Sequence, residues 1–395
     1  MAVNVLVAPS GFKESLDADH VAACIARGVQ RADPTARIDT LPVVDGGEGT
    51  ARVLAEVTGG RLVPVRVTGP VGDAVDAHFA LLGGDWEGTA VVEIAQAAGL
   101  RLVPGDRRDP LKTTTKGVGE LIRAALDAGA ERVVVGCGDS GTNDAGAGAA
   151  QALGVRLLDV DGQELGPGGG ELRRLARIDT TGRDPRIGTL SIEVACNWSN
   201  VLCGPNGVAR TFGPQKGAGP EEVVVLEQAI QQFASVVHQN LGIDARSMPG
   251  GGASGGLGAG LHALMGATLL PRYDVIFRHL DLETRLDRAN VVITAEGRID
   301  GQTANGKVPA EIARRAMRLG VPVVVLVGAV GDDARDCLEA GIDAYECILT
   351  APCTLSDAIR DTPALLEAEA EQVWRLVRVG IQVGSRAATV SCANI

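Results

Sequence analysis

The sequence predicts an α/β protein of two domains, and three observations carry that expectation. Short β-branched runs alternate, toward both ends of the chain, with stretches whose apolar residues recur at helical spacing. The runs are apolar throughout rather than alternating, which is the pattern of parallel strands covered on both faces. Between them a middle stretch changes to short alternating strands punctuated by Gly69-Pro70 and Gly83-Gly84, the mark of an antiparallel meander. A length of 395 residues agrees with this division, because single cores stop growing at about 250–300 residues.

The elements follow in order. Val3 to Ala8 reads as a strand, and Leu16 to Arg31 places Ala22, Cys24, Ile25, Gly28 and Val29 along one helical face. A second strand (37–44), a glycine loop and a helix (50–57) follow, closed by Gly59-Gly60. The alternating strands are 62–67, 77–82 and 90–94. A helix (118–128), a buried strand (132–135), another glycine loop and an Ala-rich helix come next. Strands at 291–294, 322–327 and 344–349 alternate with helices at 309–319 and 334–340. Six strands are therefore expected in one discontinuous, doubly wound, Rossmann-like or flavodoxin-like parallel sheet, formed by 1–60, 110–150 and 286–395. A mixed α/β domain, 61–109 with 151–285, is expected as an insertion.

Composition narrows the function classes. A formal charge of -12 with 3 Trp, 2 Tyr and 5 Phe lacks the basic field and stacking rings of a nucleic-acid binder. The 8 cysteines form no CxxC, and the 5 histidines are scattered without metal-ligand spacing, which excludes a structural zinc site. The chain opens into an apolar strand without a basic leader, and no apolar run reaches the roughly 18 residues of a membrane span. A cytoplasmic protein with no membrane partner is expected, with a homodimer as the default assembly. The 53 glycines are about twice the usual share of roughly 7%, so backbone must come close to something at many places.

Several glycine loops stand where parallel strands end and helices begin, the position at which such sheets bind ligands. Asp45-Gly46-Gly47-Glu48-Gly49-Thr50 joins carboxylates to a glycine backbone, suited to Mg²⁺ or a general base, or to a tight turn with an acidic cap. Gly136-Cys137-Gly138-Asp139-Ser140-Gly141 matches GxGxxG, with Asp159 and Asp161 near ribose-binding distance, and leaves an NAD-type dehydrogenase as an alternative. Gly252-Ala253-Ser254-Gly255-Gly256 matches the GxSxG of hydrolases but follows Met248-Pro249 instead of a strand. With seven glycines in 249–260, an anion cradle at a helix start is the more natural expectation there. Five lysines stand against 32 arginines, and Lys13, Lys216 and Lys307 lie in loop motifs, as compact point charges for phosphate would. Arg298 can fork onto a carboxylate or phosphate, and Asp300 can bind metal or accept a hydroxyl proton; a surface ion pair between them is the plainer reading. Carboxylates, lysines and glycine-rich helix starts together make a kit for phosphoryl transfer, without the GxxxxGK[ST] of a standard P-loop.

Six motifs in this order, Ala8 to Ser15, Asp45 to Thr50, Ser140 to Gly148, Phe212 to Ala218, Pro249 to Gly256 and Glu296 to Lys307, resemble the bacterial type I glycerate kinase family and span nearly the whole chain. The resemblance implies two α/β domains with an active cleft between them, ATP and Mg²⁺ as cofactors, and phosphorylation of D-glycerate, commonly at the 2-hydroxyl. Within that expectation Asp45, Asp144, Asp300 and Lys13 are the candidate catalytic residues, with Asp45 and Asp300 the candidates on the metal. Ser15, Ser140, Asn197, Arg298 and Lys307 would bind substrate, and Lys216, Gly250, Gly251, Gly252 and Ser254 the nucleotide. Asp139 stands where the family usually has glycine, and Asn197 where it usually has Asp. These departures leave a related small diol acid or a phosphonate open as the acceptor.

Overall fold

The computed structural model describes residues 2–12 and 15–393. Its strands are β1 (Asn4–Val7), β2 (Arg37–Thr40), β3 (Arg61–Thr68), β4 (Ala74–Leu81), β5 (Thr89–Glu93), β6 (Arg132–Gly136), β7 (Arg156–Leu158), β8 (Arg177–Asp179), β9 (Ser191–Cys196), β10 (Thr268–Pro271), β11 (Val291–Ile299), β12 (Val323–Val330) and β13 (Ala344–Cys347). The chain divides into two compact units, 1–44 with 281–395 and 45–280.

The first unit carries a five-stranded sheet in the order β13-β12-β11-β1-β2, parallel at every pairing. Val5, Leu6, Val7, Val292, Ile293, Leu326 and Val327 are buried, which explains why these strands carry apolar residues without alternation. The order is flavodoxin-like, and its direction reverses between β1 and β11. Ligands in such sheets sit at the carboxyl ends of the two strands flanking that reversal. Asp17 caps the helix Ala18–Ala32 by accepting from His20 N at 2.9 Å. That helix packs its buried face, Val21, Ile25 and Val29, against Leu366, Ala370 and Trp374 of the long helix Leu355–Ala393. Gly28 sits at the crossing, where a Cβ would lie 2.3 Å from the Glu367 carbonyl oxygen and 2.8 Å from Ala370 Cβ.

The second unit is built on a six-stranded mixed sheet, β10-β9-β6-β5-β4-β3. The pairings from β10 to β5 are parallel, and β5-β4-β3 is the expected meander, antiparallel from Arg61↔Leu81 to Thr68↔Ala74. β7 and β8 form a separate antiparallel pair. The domain boundaries expected from sequence need correcting here. Segments 45–60 and 110–150 belong to this unit, because β6 pairs with β5 and β9, not with β1 or β11. Val133 to Val135 are buried, so the strand is covered on both faces as expected; an apolar run does not say which sheet it joins. No helix among the described residues is long and apolar enough to cross a membrane.

Replacing glycine by alanine inside a helix ordinarily gains stability of about 1 kcal/mol. At Gly28 the clash with the Glu367 backbone reverses the sign. Gly28→Ala should lower the unfolding free energy by about 1–3 kcal/mol, read from the midpoint of urea denaturation.

Candidate active site

In the first unit, β11 continues past β1 and stays paired with β12 as far as Ile299↔Val330. This extension presents Glu296 and Arg298, and the turn that follows presents Asp300 and Lys307. Asp300 Oδ1 accepts from Gln302 N at 3.0 Å, and Asp300 N donates to Thr303 Oγ1 at 3.2 Å, which fixes the turn. Lys307, at the N-cap of the helix Val308–Leu319, folds back so that Nζ lies 3.5 Å from Glu296 Oε1 and 3.4 Å from Asp300 Oδ1. Arg298 lies 3.4 Å from Asp300 Oδ2, with its guanidinium against Gly331 and its side chain 61% exposed. Burial pushes the Glu296 carboxyl up to about 6, against the pull of the Lys307 ammonium. On the β1 side of the reversal, Ser10 Oγ donates to the Ala295 carbonyl at 2.9 Å. Two cations and two carboxylates thus gather at the end of the sheet where its topology calls for a ligand.

In the second unit, the loops after β5 and β6 and the end of β9 meet the Asp45–Gly49 loop. Gly136 and Gly138 allow backbone-to-backbone contact, since a Cβ on Gly138 would lie 2.4 Å from Gly47 Cα. Asp45 and Asp139 flank the space that a side chain at Gly47 would occupy. Asp45 Oδ1 accepts from Gly47 N at 3.2 Å, and Oδ2 lies 3.4 Å from Arg272. Asp139 Oδ2 accepts from Glu48 N at 3.2 Å, and its φ of 55° is the left-handed conformation that suits the glycine usual there in the resembled family. Below the loop, buried Glu93 accepts from Ala51 N and Gly49 N, supplying the donors of the helix Thr50–Thr58 with the side-chain acceptor that its N-cap glycine lacks. Burial pushes Glu93 up to about 7, opposed by those N–H donors and Gln96.

Several expected site residues prove to be internal supports. Asp144 is fully buried, and its carboxylate accepts from Thr115 N, Thr115 Oγ1, Gly146 N and Gly148 N at 2.8–3.2 Å. It is held by its own loop and by Thr115 at the N-cap of the helix Lys116–Asp127, with no exposed oxygen for a reacting group. Lys216 is 2% exposed and its ammonium is taken by Ser140 Oγ, the Thr142 carbonyl and Asn143 Oδ1, so it has no donor left for a nucleotide phosphate. Burial pulls its pKa down to about 7, with Asp144 acting in the other direction. The anion cradle at 250–252 is likewise spent: Gly250 N donates to Trp198 O, Gly251 N to Met248 O and Gly252 N to Asn200 O. These glycines serve close packing, since a Cβ on Gly252 would lie 2.1 Å from Val201 O. Ser254 has a left-handed φ of 53° within three successive left-handed residues, at a kink in the first turn of the helix Ala253–Met265 and beside Cys137, with no strand leading into it. The GxGxxG at 136–141 leads into a loop rather than a helix start, and its glycines contact the 46–47 backbone and Leu100, which removes the ground for the dehydrogenase alternative.

The remaining expected residues are placed as follows. Lys13 lies outside the described residues. Ser15 Oγ donates to the Ile359 carbonyl at 2.9 Å. Asn197 is exposed and turns its own loop, accepting from Ser199 N and Ser199 Oγ. Arg298, Asp300 and Lys307 do come together, and the expected Arg298–Asp300 ion pair is one edge of their cluster. Asp45 and Asp300, both expected as metal ligands, fall in different units. Glu296 and Glu93 were absent from the expected site residues. A carboxylate just past an all-apolar strand core is the signal each gives in the sequence. Among the described residues no three His, Cys, Asp or Glu side chains gather as a metal cage. Mg²⁺ does not require one, since it commonly takes one or two carboxylates, waters and substrate phosphates, and Asp300 beside Glu296 fits that donor set.

The folded pKa of Glu93 lies above its unfolded value of 4.5, so between pH 4.5 and 7 the folded state retains a proton that the unfolded chain has lost. Its contribution to stability is therefore fully present below that window and falls as pH rises through it. Glu93→Gln should remove this slope, shrinking the stability advantage of the parent over the variant by about 2–3 kcal/mol from pH 4.5 to 7.5, measured by urea unfolding at stepped pH.

The sequence is similar to those of bacterial glycerate kinases. Residues 5–378 match the profile of the glycerate kinase family. The glycerate kinase of Bacillus subtilis (strain 168) is 45% identical over 377 residues, covering 95% of this chain and 98% of that protein. The glycerate 2-kinase of Escherichia coli (strain K12) is 43% identical over 358 residues, covering 91% and 93%. The crystal structure assigned as glycerate kinase 2 from Salmonella typhimurium LT2 matches with a TM-score of 0.84 at 43% identity, over 97% of this chain and 100% of that one. The chain belongs to the glycerate kinase family, phosphotransferases whose acceptor is an alcohol group.

Proposed function

We propose that the protein is an ATP- and Mg²⁺-dependent kinase that converts D-glycerate to 2-phosphoglycerate. The observation that carries this reading is the cluster of Glu296, Arg298, Asp300 and Lys307 at the topological reversal of the first sheet. Phosphoryl transfer asks a protein for positioning and charge neutralisation more than for covalent chemistry, and this cluster supplies both signs of charge on a hydrogen-bonded strand extension.

Glu296 is the proton acceptor in this reading. A carboxylate held near 6 is ionised at neutral pH and is a stronger base than an ordinary glutamate. It takes the proton from the acceptor hydroxyl as that oxygen bonds to the γ-phosphorus and the bond from phosphorus to the β,γ-bridging oxygen breaks. Lys307 and Arg298 neutralise the anionic oxygens, and their present pairing with Asp300 and Glu296 keeps them in place beforehand. Asp300 would hold Mg²⁺, which supplies charge neutralisation across the phosphates. Asp45, with Asp139 beside it, adds acidic groups in the second unit.

The reading is tested by ADP release with D-glycerate, L-glycerate and related diol acids or phosphonates, with phosphorus NMR identifying the oxygen modified. D-glycerate should be the preferred acceptor and 2-phosphoglycerate the product. Preference for a phosphonate or a longer diol acid would transfer the same chemistry to another acceptor, and the exposed Asn197 in place of a carboxylate is the feature that favours including them. Glu296→Gln should lower kcat by at least about 100-fold and abolish the acid limb of the kcat profile near pH 6, while Lys307→Ala should cost about 2–4 kcal/mol of transition-state stabilisation. Near-normal turnover by both folded variants would remove this cluster from the mechanism.

A further inference from the structure

The loop between β6 and the helix Ala147–Ala152 turns around one buried ammonium. Lys216 Nζ lies 2.9 Å from Ser140 Oγ, 2.6 Å from the Thr142 carbonyl oxygen and 3.4 Å from Asn143 Oδ1. Below the Lys216 pKa of about 7 the amine is protonated; its three N–H hydrogens then meet three acceptors, and an ammonium has no lone pair with which to accept. The Ser140 oxygen is therefore the acceptor in its contact, and its own hydrogen has to point elsewhere. No acceptor for that hydrogen is found among the described residues, and Ser140 is partly exposed. Next to it, Thr142 Oγ1 and Asn143 Nδ2 are buried without partners among the described residues. The Asn143 amide is oriented by the ammonium, which holds Oδ1 and leaves Nδ2 unpaired. The charged group acting on Lys216 is Asp144, whose oxygens are already engaged by Thr115, Gly146 and Gly148.

A hydroxyl whose lone pair is pinned by a cation is a poor acceptor and a strengthened donor, because chained hydrogen bonds polarise one another inside a protein. We propose that Lys216 is a positioning residue that makes the Ser140 hydroxyl an obligate donor to an anionic ligand oxygen, either the carboxylate of the acceptor or a phosphate of the nucleotide. This rests on the kinase reading above and deepens it. It also accounts for a lysine at a position too deep to touch a ligand, since its charge is delivered at one remove.

The test is a double-substitution cycle on the full chain with D-glycerate and ATP varied in turn. Ser140→Ala should raise KM for one of the two by about 10- to 100-fold, the usual range for a hydrogen bond to a charged group, with kcat little changed. Lys216→Met should raise the same KM, and the double variant should be no worse than the more affected single one, because the lysine acts through the serine. Ser140→Thr, which keeps a hydroxyl, should restore most of the loss. A rise confined to D-glycerate identifies the carboxylate, and one confined to ATP identifies the phosphate. Independent, multiplicative effects of the two substitutions, or an unchanged KM for both substrates in Ser140→Ala, would overturn the proposal. If Lys216→Met does not fold, the ratio of KM between Ser140→Ala and the parent decides when followed from pH 6 to 9: it should fall as Lys216 loses its proton above about 7, and a constant ratio would overturn the proposal. If the unaltered chain shows no turnover, the kinase reading fails separately. Calorimetric titration of ATP and D-glycerate into the parent and Ser140→Ala then decides this one: tenfold weaker binding supports it, and equal or absent binding ends it.

Discussion

The closeness with which backbone packs on backbone is the constraint on which this structure depends. At Gly138 the chain after β6 lies against the Gly47 backbone with no room for a methyl group, and at Gly255 a Cβ would lie 1.9 Å from the Thr142 carbonyl oxygen. The loops that hold Asp45, Ser140 and Asp144 keep their mutual positions because no side chain separates them. The same requirement appears in the first unit where two helices cross at Gly28. An elevated glycine content is thus a record of contacts made rather than of flexibility. Conformational entropy lost by those glycines on folding is offset by the hydrogen bonds that close approach permits.

Burial sets the chemistry of the charged groups more than their identity does. Glu296 and Glu93 are both glutamates following buried β strand cores, and both are shifted upward by desolvation. Glu296 retains a partner of opposite charge at the end of an extended strand, which leaves it able to exchange a proton. Glu93 is closed in by N–H donors and Gln96, so it caps a helix and supports a loop. Lys216 carries the comparison to a cation: without surface of its own, it acts through the groups it holds.

Much of the fold was legible because the period of apolar residues reports burial directly. The five strands of the first sheet and the meander of the second were read from their side-chain patterns. The allegiance of β6 was not, since a run covered on both faces looks the same in either sheet. At the site, Arg298, Asp300 and Lys307 were legible as a loop of unlike charges after an apolar strand. Lys216 stood out as one of five lysines, yet its role was inverted, because composition shows that a point charge is present and only packing shows how deep it lies. Gly250 to Gly252 were open to the same error: glycine marks a close approach, and its partner turned out to be the chain itself.

The prolongation of β11 has a mechanical consequence. Arg298 is paired in register with Ala329, and Glu296 with Val327, so these two charged groups stand on a ladder continuous with the interior of the sheet. Their placement is inherited from the stiffest part of the unit instead of from a hinge. Amide protons at these positions should exchange with solvent on the slow timescale of the core strands, leaving the adaptation to ligand to the turn that begins at Asp300.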